Sequence, residues 1–219
     1  MIPPEADAAF VCAMEDVLDV YHQPRNPNRP LVCLDEGTKQ LIKETRLPMP
    51  AKPGQVAKAD YEYERNGTSN LFMVFAPLEN WRQVTVTDQR TRVDWAHCIQ
   101  QLVDTDFPEA EKIVLVMDNL NTHQLASLYE AFPPAEARRL TEKLEIHYTP
   151  KHGSWLNMAE IELSILSRQC LDRRIPDQPS LKQEITAWQT PRNEAASTVH
   201  SQFTTDDARI KLKRLYPSI

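Results

Sequence analysis

The sequence predicts an α/β fold: a mixed sheet, built from an antiparallel meander and parallel strands, flanked by helices. Three observations carry this. Short β-rich runs at 61–65, 70–76 and 82–87 are separated by turn residues, among them Asn66-Gly67, the strongest short-range hairpin signal. From Thr91 onward, brief apolar runs at 113–117 and 145–148 alternate with segments of helical periodicity, the pattern of parallel strands joined by crossovers. An earlier apolar run at 31–34 supplies a first strand, which would lie beside 113–117 in such a sheet.

The elements follow in order. Residues 4–21 form an amphipathic helix, with Pro3 and Pro4 suited to its first turn and Phe10, Ala13, Met14, Val17 and Tyr21 at helical spacing. The linker PRNPNRP leads to the strand at 31–34, which ends on Asp35 and Glu36. Residues 37–60 contain Pro48, Pro50 and Pro53 among several lysines, so a long loop is expected before the meander. Turns fall at Asn66-Gly67 and near Glu79-Asn80. Thr91 caps a helix to 103, with Asp94 three residues on. After strand 113–117 come helices at 122–132 and 134–144, strand 145–148, the turn TPKHG and a helix over 154–171. Helices at 181–196, behind Ser180, and 206–215, behind Thr204 or Thr205, complete the chain. The expected organisation is an N-terminal helix and linker (1–30), a core domain (31–175) and a C-terminal helical extension (176–219).

Composition narrows the function. At 219 residues and 41% hydrophobic content the chain can bury one substantial core. Cys12, Cys33, Cys98 and Cys170 lie far apart among apolar neighbours, which argues for buried thiols in a reducing compartment and against zinc or a disulfide framework. No run approaches the roughly 18 apolar residues of a membrane span, and no leader pattern opens the chain, so a soluble, cytoplasmic protein without a membrane partner is expected. The net charge of −6 disfavours nucleic-acid binding over the whole surface but is compatible with an enzyme whose basic residues are local.

The stretch VLVMDNLNTHQ drives a strand through the core and ends it on Asp118. Asp35 ends the neighbouring strand. Two carboxylates at adjacent strand ends repel unless a cation lies between them, which points to Mg²⁺ or Mn²⁺. A third acid is available in SWLNMAEIELS, where Asn157 can cap a helix and Glu160 falls near its start. Glu162 lies about 200° further round that helix, so only one of the two glutamates can face the site. Three oxygen-donor side chains of this kind suit two hard cations and phosphoryl displacement.

The blocks LVCLDE, VLVMDNLNTH and HYTPKHGSWLNMAEIEL resemble the three motif regions of bacterial insertion-sequence transposases of the Tc/mariner superfamily. LDRRIP and DDARIKLKRLYP are similar to that family's C-terminal region. The resemblance implies a ribonuclease H-like DDE catalytic domain over 31–175, with Asp35, Asp118 and Glu160 as catalytic acids and ligands of two Mg²⁺ or Mn²⁺ ions. Asn157-Met158-Ala159-Glu160 stands where the family has Asn-Pro-Ile-Glu. Between Asp118 and Glu160 lie 41 residues, positions 119–159, more than is usual, and PPAEARRLTEK reads as an inserted helix. The resemblance also implies DNA partners (element ends and target, with insertion at TA), a homodimer on DNA, and action at the bacterial nucleoid. The family's N-terminal helix-turn-helix has no room before Asp35, so a trimmed chain or a split reading frame is expected, with weak end recognition.

Around the acids, Asn119 is expected at the site's edge. His123, on the first turn of the following helix, either contacts water, a phosphate or a metal ligand, or has no role. Glu36 is expected to be solvated or to buttress a ligand rather than to be one. Lys151 and His152 either face a DNA backbone or sit in a solvated turn. Trp155 is expected as a core anchor. Arg209, Lys211 and Lys213, with Arg214, form either a phosphate-binding helix face or a solvated one. Two rival functions remain: a stand-alone ribonuclease H-like nuclease, and an inactive transposase remnant that only binds DNA.

Overall fold

The computed structural model describes residues 5–217 except 47, 48, 50, 57–60, 121, 196 and 197. Pro3, Pro4, Pro48, Pro50 and Ala196, assigned above to a helix start, a loop and a helix end, lie outside the described residues.

Five strands form one sheet: β1 (Leu31–Glu44), β2 (Tyr63–Ala76), β3 (Trp81–Thr87), β4 (Ile113–Met117) and β5 (Leu144–Tyr148). Their order is β3-β2-β1-β4-β5, antiparallel from β3 to β1 and parallel from β1 to β5. Side-chain alternation splits the sheet into two dry faces. Leu31, Cys33, Met73, Phe75, Val114 and Val116 pack on α1 (Ala8–Tyr21), α5 (Met158–Leu166), α6 (Gln178–Glu194) and α7 (Thr205–Lys211). Val32, Leu34, Phe72, Val74, Leu115 and Met117 pack on α2 (Arg92–Gln101), α3 (Leu125–Ala131) and α4 (Pro134–Lys143). The central strands are apolar on both faces because both are covered by helices.

Capping places the helices. Asp7 accepts from the Ala9 and Phe10 N–H groups at 2.9 and 3.0 Å, so α1 begins at Ala8 rather than at residue 4. Thr91 and Asp94 form the expected capping box. Asp177, not Ser180, caps α6 by accepting from the Ser180 N–H at 2.8 Å. Helix α3 starts at Leu125, so His123 lies in the turn before it. The helix expected over 154–171 is a short 3-10 turn at Ser154–Leu156, then α5, then a π turn at Ser167–Leu171.

The largest difference concerns β1. It does not stop at Leu34 but runs 14 residues, and the expected loop is strand as far as Glu44. Asp35 therefore lies inside β1, paired antiparallel with Met73. What ends near Asp35 is the parallel partner, since β1 and β4 pair last at Cys33 and Val116. Asn66-Gly67 is not a hairpin turn. It lies inside β2, where two residues oppose the single Leu41, and Gly67 takes φ 88°, a bulge of the kind that needs a left-handed residue. Cys33, Cys98 and Cys170 are buried, but Cys12 is exposed.

Candidate active site

The register puts the first two acids level with each other. Asp35 and Asp118 each lie two residues beyond the last β1–β4 pair, Cys33 with Val116. By alternation both belong to the sheet face that carries α5. Asn157 fixes how α5 meets that face. It is almost fully buried, its carbonyl oxygen accepts from the Ala159 N–H at 3.1 Å, and its amide donates to the Leu34 carbonyl at 2.8 Å. One side chain thus caps the helix and ties it to β1 immediately before Asp35, with Glu160 exposed in the first helical turn. Tyr21 adds a second tie, donating to the Leu156 carbonyl at 2.7 Å.

Electrostatics reports the same convergence. Burial pushes the Asp35 carboxyl up to about 6, and the charges of Asp118, Glu160 and Glu36 push the same way, opposed by the hydrogen bond from the Glu36 N–H. Among the described residues no three carboxylate, imidazole or thiolate groups are arranged so as to hold a metal ion as they stand. The donor set nevertheless suits a hard divalent cation: oxygen donors only, mutually repelling, with Glu160 exposed and the Asp118 side chain 32% exposed. Asp35, Asp118 and Glu160 are the residues that would hold such an ion.

Glu36 and His123 stand together behind Asp118. Glu36 follows Val32 and Leu34 onto the opposite face and is buried, not solvated. His123 is fully buried between two acids, with Nε2 2.9 Å from Glu36 Oε1 and Nδ1 2.6 Å from Asp118 Oδ1. Nδ1 also lies 3.3 Å from the Asp118 carbonyl, the better-aligned acceptor, so the carboxylate contact is chiefly ionic. Burial alone would lower the imidazole pKa, but Asp118 and Glu36 overcome it and raise it to about 9. The sequence signal for Glu36 was its alternation with Leu34; nothing local signalled the contact with His123.

Beside Asp118 a cleft of about 510 Å³ is lined by Asn119, Tyr148, Thr149, Lys151 and His152. His152 takes a left-handed φ of 67°. Glu162 points away into a buried ion pair with Arg82, 3.1 Å apart, as the helical geometry required. Trp155 is exposed and packs edge-on against Phe203 rather than anchoring the core. The C-terminal basic residues do not form one open face. Arg209 pairs with Glu15 at 2.9 Å and Lys211 with Asp207 at 3.0 Å, and α7 stops at Lys211, leaving Lys213 in a 3-10 turn.

A mixed sheet between two helical layers, with acids at one end of its central strands, defines the class of fold. The family model for the DDE superfamily endonucleases matches residues 30–182, and the chain belongs to that family. Its fold is that of solved ribonuclease H-like transposase domains. The catalytic domain of Mos1 mariner transposase aligns with TM-score 0.56 and 12% identity, over 86% of this chain and 85% of that one. The Mos1 mariner paired end complex with Mn aligns with TM-score 0.56 and 15% identity, covering 86% of this chain and 57% of the other. The corresponding complex with Mg gives 0.55 and 14%, covering 100% and 66%. This chain therefore spans a little over half the length of the first of these complexes. No curated protein matches it. Among the described residues no helix is long and apolar enough to cross a membrane.

Proposed function

We propose that this chain is the catalytic part of a transposase that cuts DNA phosphodiesters at element ends and joins the freed 3′ end to target DNA. The supporting observation is the placement of Asp35, Asp118 and Glu160, on β1, after β4 and on α5, at one end of the sheet in a DDE endonuclease. Two divalent ions, Mg²⁺ or Mn²⁺, would supply activation of the attacking oxygen and stabilisation of the leaving one. The protein's part is to hold three carboxylates in register on rigid elements, so that bound divalent cations would relieve their mutual repulsion. Asn157 sets the approach of Glu160, and Lys151 and Asn119 border the cleft where a phosphate backbone would lie. Hydrolysis leaves a 3′ hydroxyl, whose oxygen then attacks a target phosphodiester at the same site and displaces the target strand's 3′ oxygen, which leaves as a hydroxyl, with two copies of the chain bridging two ends.

Nicking of supercoiled plasmid in Mn²⁺, alongside joining of an oligonucleotide duplex supplied with a free 3′ hydroxyl, tests this. Asp118→Asn is expected to abolish both reactions while DNA retention on a gel persists. Cutting that survives the substitution would refute the site, and cutting without joining would favour a plain nuclease.

A further inference from the structure

We propose that Glu36 and His123 are positioning residues: a buried brace that sets the orientation of the Asp118 carboxylate before any ion arrives. This rests on the reading of Asp118 as a metal ligand. The brace begins at the surface, where Arg90 stands 3.2 Å from Glu36 Oε2. It continues through Glu36 Oε1 to His123 Nε2 at 2.9 Å, and from Nδ1 to Asp118 Oδ1 at 2.6 Å. The imidazole has little freedom to turn. It stacks on the fully buried Trp95 with centroids 6.0 Å apart, and Tyr148 donates to the His123 carbonyl at 3.0 Å.

The Asp118 carboxylate is divided between two environments. Oδ1 is buried against the imidazole, while the side chain as a whole is 32% exposed. Its accessible part therefore lies on the remaining atoms, on the side away from His123. Asp118 follows β4 at the start of an irregular segment, where its own backbone does less to fix it than β1 does for Asp35. As a purely structural device the brace is a poor choice, because burying several charged groups usually stabilises less than apolar packing of similar volume. Carboxylates that bind metals are commonly held from behind by such partners, whose removal lowers affinity about 10–100-fold.

Mn²⁺ binding without DNA, followed by isothermal titration calorimetry on the whole chain, separates the possibilities. The isosteric Glu36→Gln, and His123→Gln, are expected to bind Mn²⁺ roughly 10–100-fold more weakly, with thermal unfolding close to that of the parent for Glu36→Gln. Unchanged or tighter Mn²⁺ binding in a folded variant, with only the melting temperature lowered, would overturn the brace. Should His123→Gln fail to fold, Glu36→Gln decides. Asp118→Asn is the reference: if it loses Mn²⁺ binding while Glu36→Gln keeps it, the brace fails and the site stands. If Asp118→Asn binds Mn²⁺ normally, the site itself is misread.

Discussion

Two buried glutamates, Glu36 and Glu162, each sit beside a candidate catalytic acid, and their surroundings differ in kind. Glu162 is enclosed by cations. Arg82 lies 3.1 Å from it and Arg192 3.2 Å, and Arg82 also donates to Asn193 Oδ1 at 3.2 Å. Helix α6, which carries Arg192, covers the exposed edge of β3: the Arg82 and Val84 N–H groups donate to Asn193 and Gln189 side chains at 2.9 and 3.1 Å. This cluster has more cations than anions and is closed. Glu36 sits in a different balance: Arg90 lies 3.2 Å from it and the His123 imidazole 2.9 Å, but Asp118 stands across that imidazole and Asp35 is next in the chain, so acids outnumber cations. A surplus of negative charge open to a cleft has a use only if a cation enters; a neutralised cluster under a helix has a use without one.

The largest effect should come from breaking the closed cluster. Glu162→Ala leaves two buried or half-buried guanidinium groups without their acid and is expected to cost about 3–5 kcal/mol in urea-induced unfolding. Mn²⁺ affinity of the molecules that stay folded should not change. A loss below about 1 kcal/mol would mean that the cluster is not what holds α6 to β3.

Opening the acidic cluster should do the reverse. Asp35→Asn removes the carboxyl that burial and three neighbouring acids disfavour, so the metal-free protein should gain about 3 kcal/mol at neutral pH. Mn²⁺ at about 100 times its Kd should stabilise the parent by roughly 2.7 kcal/mol and the variant by much less. If metal-free Asp35→Asn is instead less stable than the parent, the acids are not in conflict, and the comparison with Glu162 loses its basis.

The same contrast governs what the sequence could disclose. Helices, parallel strands and the three acids were legible because periodicity, caps and the motif blocks are local. The extension of β1 was not, since its outer half, Thr38 to Glu44, is polar and largely part-exposed, with only Leu41 turned inward. Such a strand is held by backbone pairing with β2, which leaves little hydrophobic pattern. Asn66-Gly67 misled because a hairpin turn and a bulge ask for the same left-handed glycine. The contact between Glu36 and His123 joins residues 87 apart in sequence, and only the stacking of α2 and the β4–α3 turn on one sheet face creates it.

The smallest predicted effect separates burial from repulsion. Asp106 ends the π turn after α2, and burial raises its carboxyl to about 6, opposed only by a hydrogen bond from Gln101 and with no neighbouring acid contributing. Asp35 has both causes at once. Because the folded state holds the Asp106 proton more tightly than the unfolded chain does, stability falls as pH rises from about 4 to about 6 and stays lower above that window. Asp106→Asn should therefore be more stable than the parent at neutral pH, by about 1 kcal/mol once partial exposure is allowed for. Most of that gain should vanish in urea unfolding near pH 4, with no change in Mn²⁺ binding at any pH. A gain that persists at low pH would place its origin in packing, and burial alone would then no longer account for the part of the Asp35 shift that repulsion leaves over.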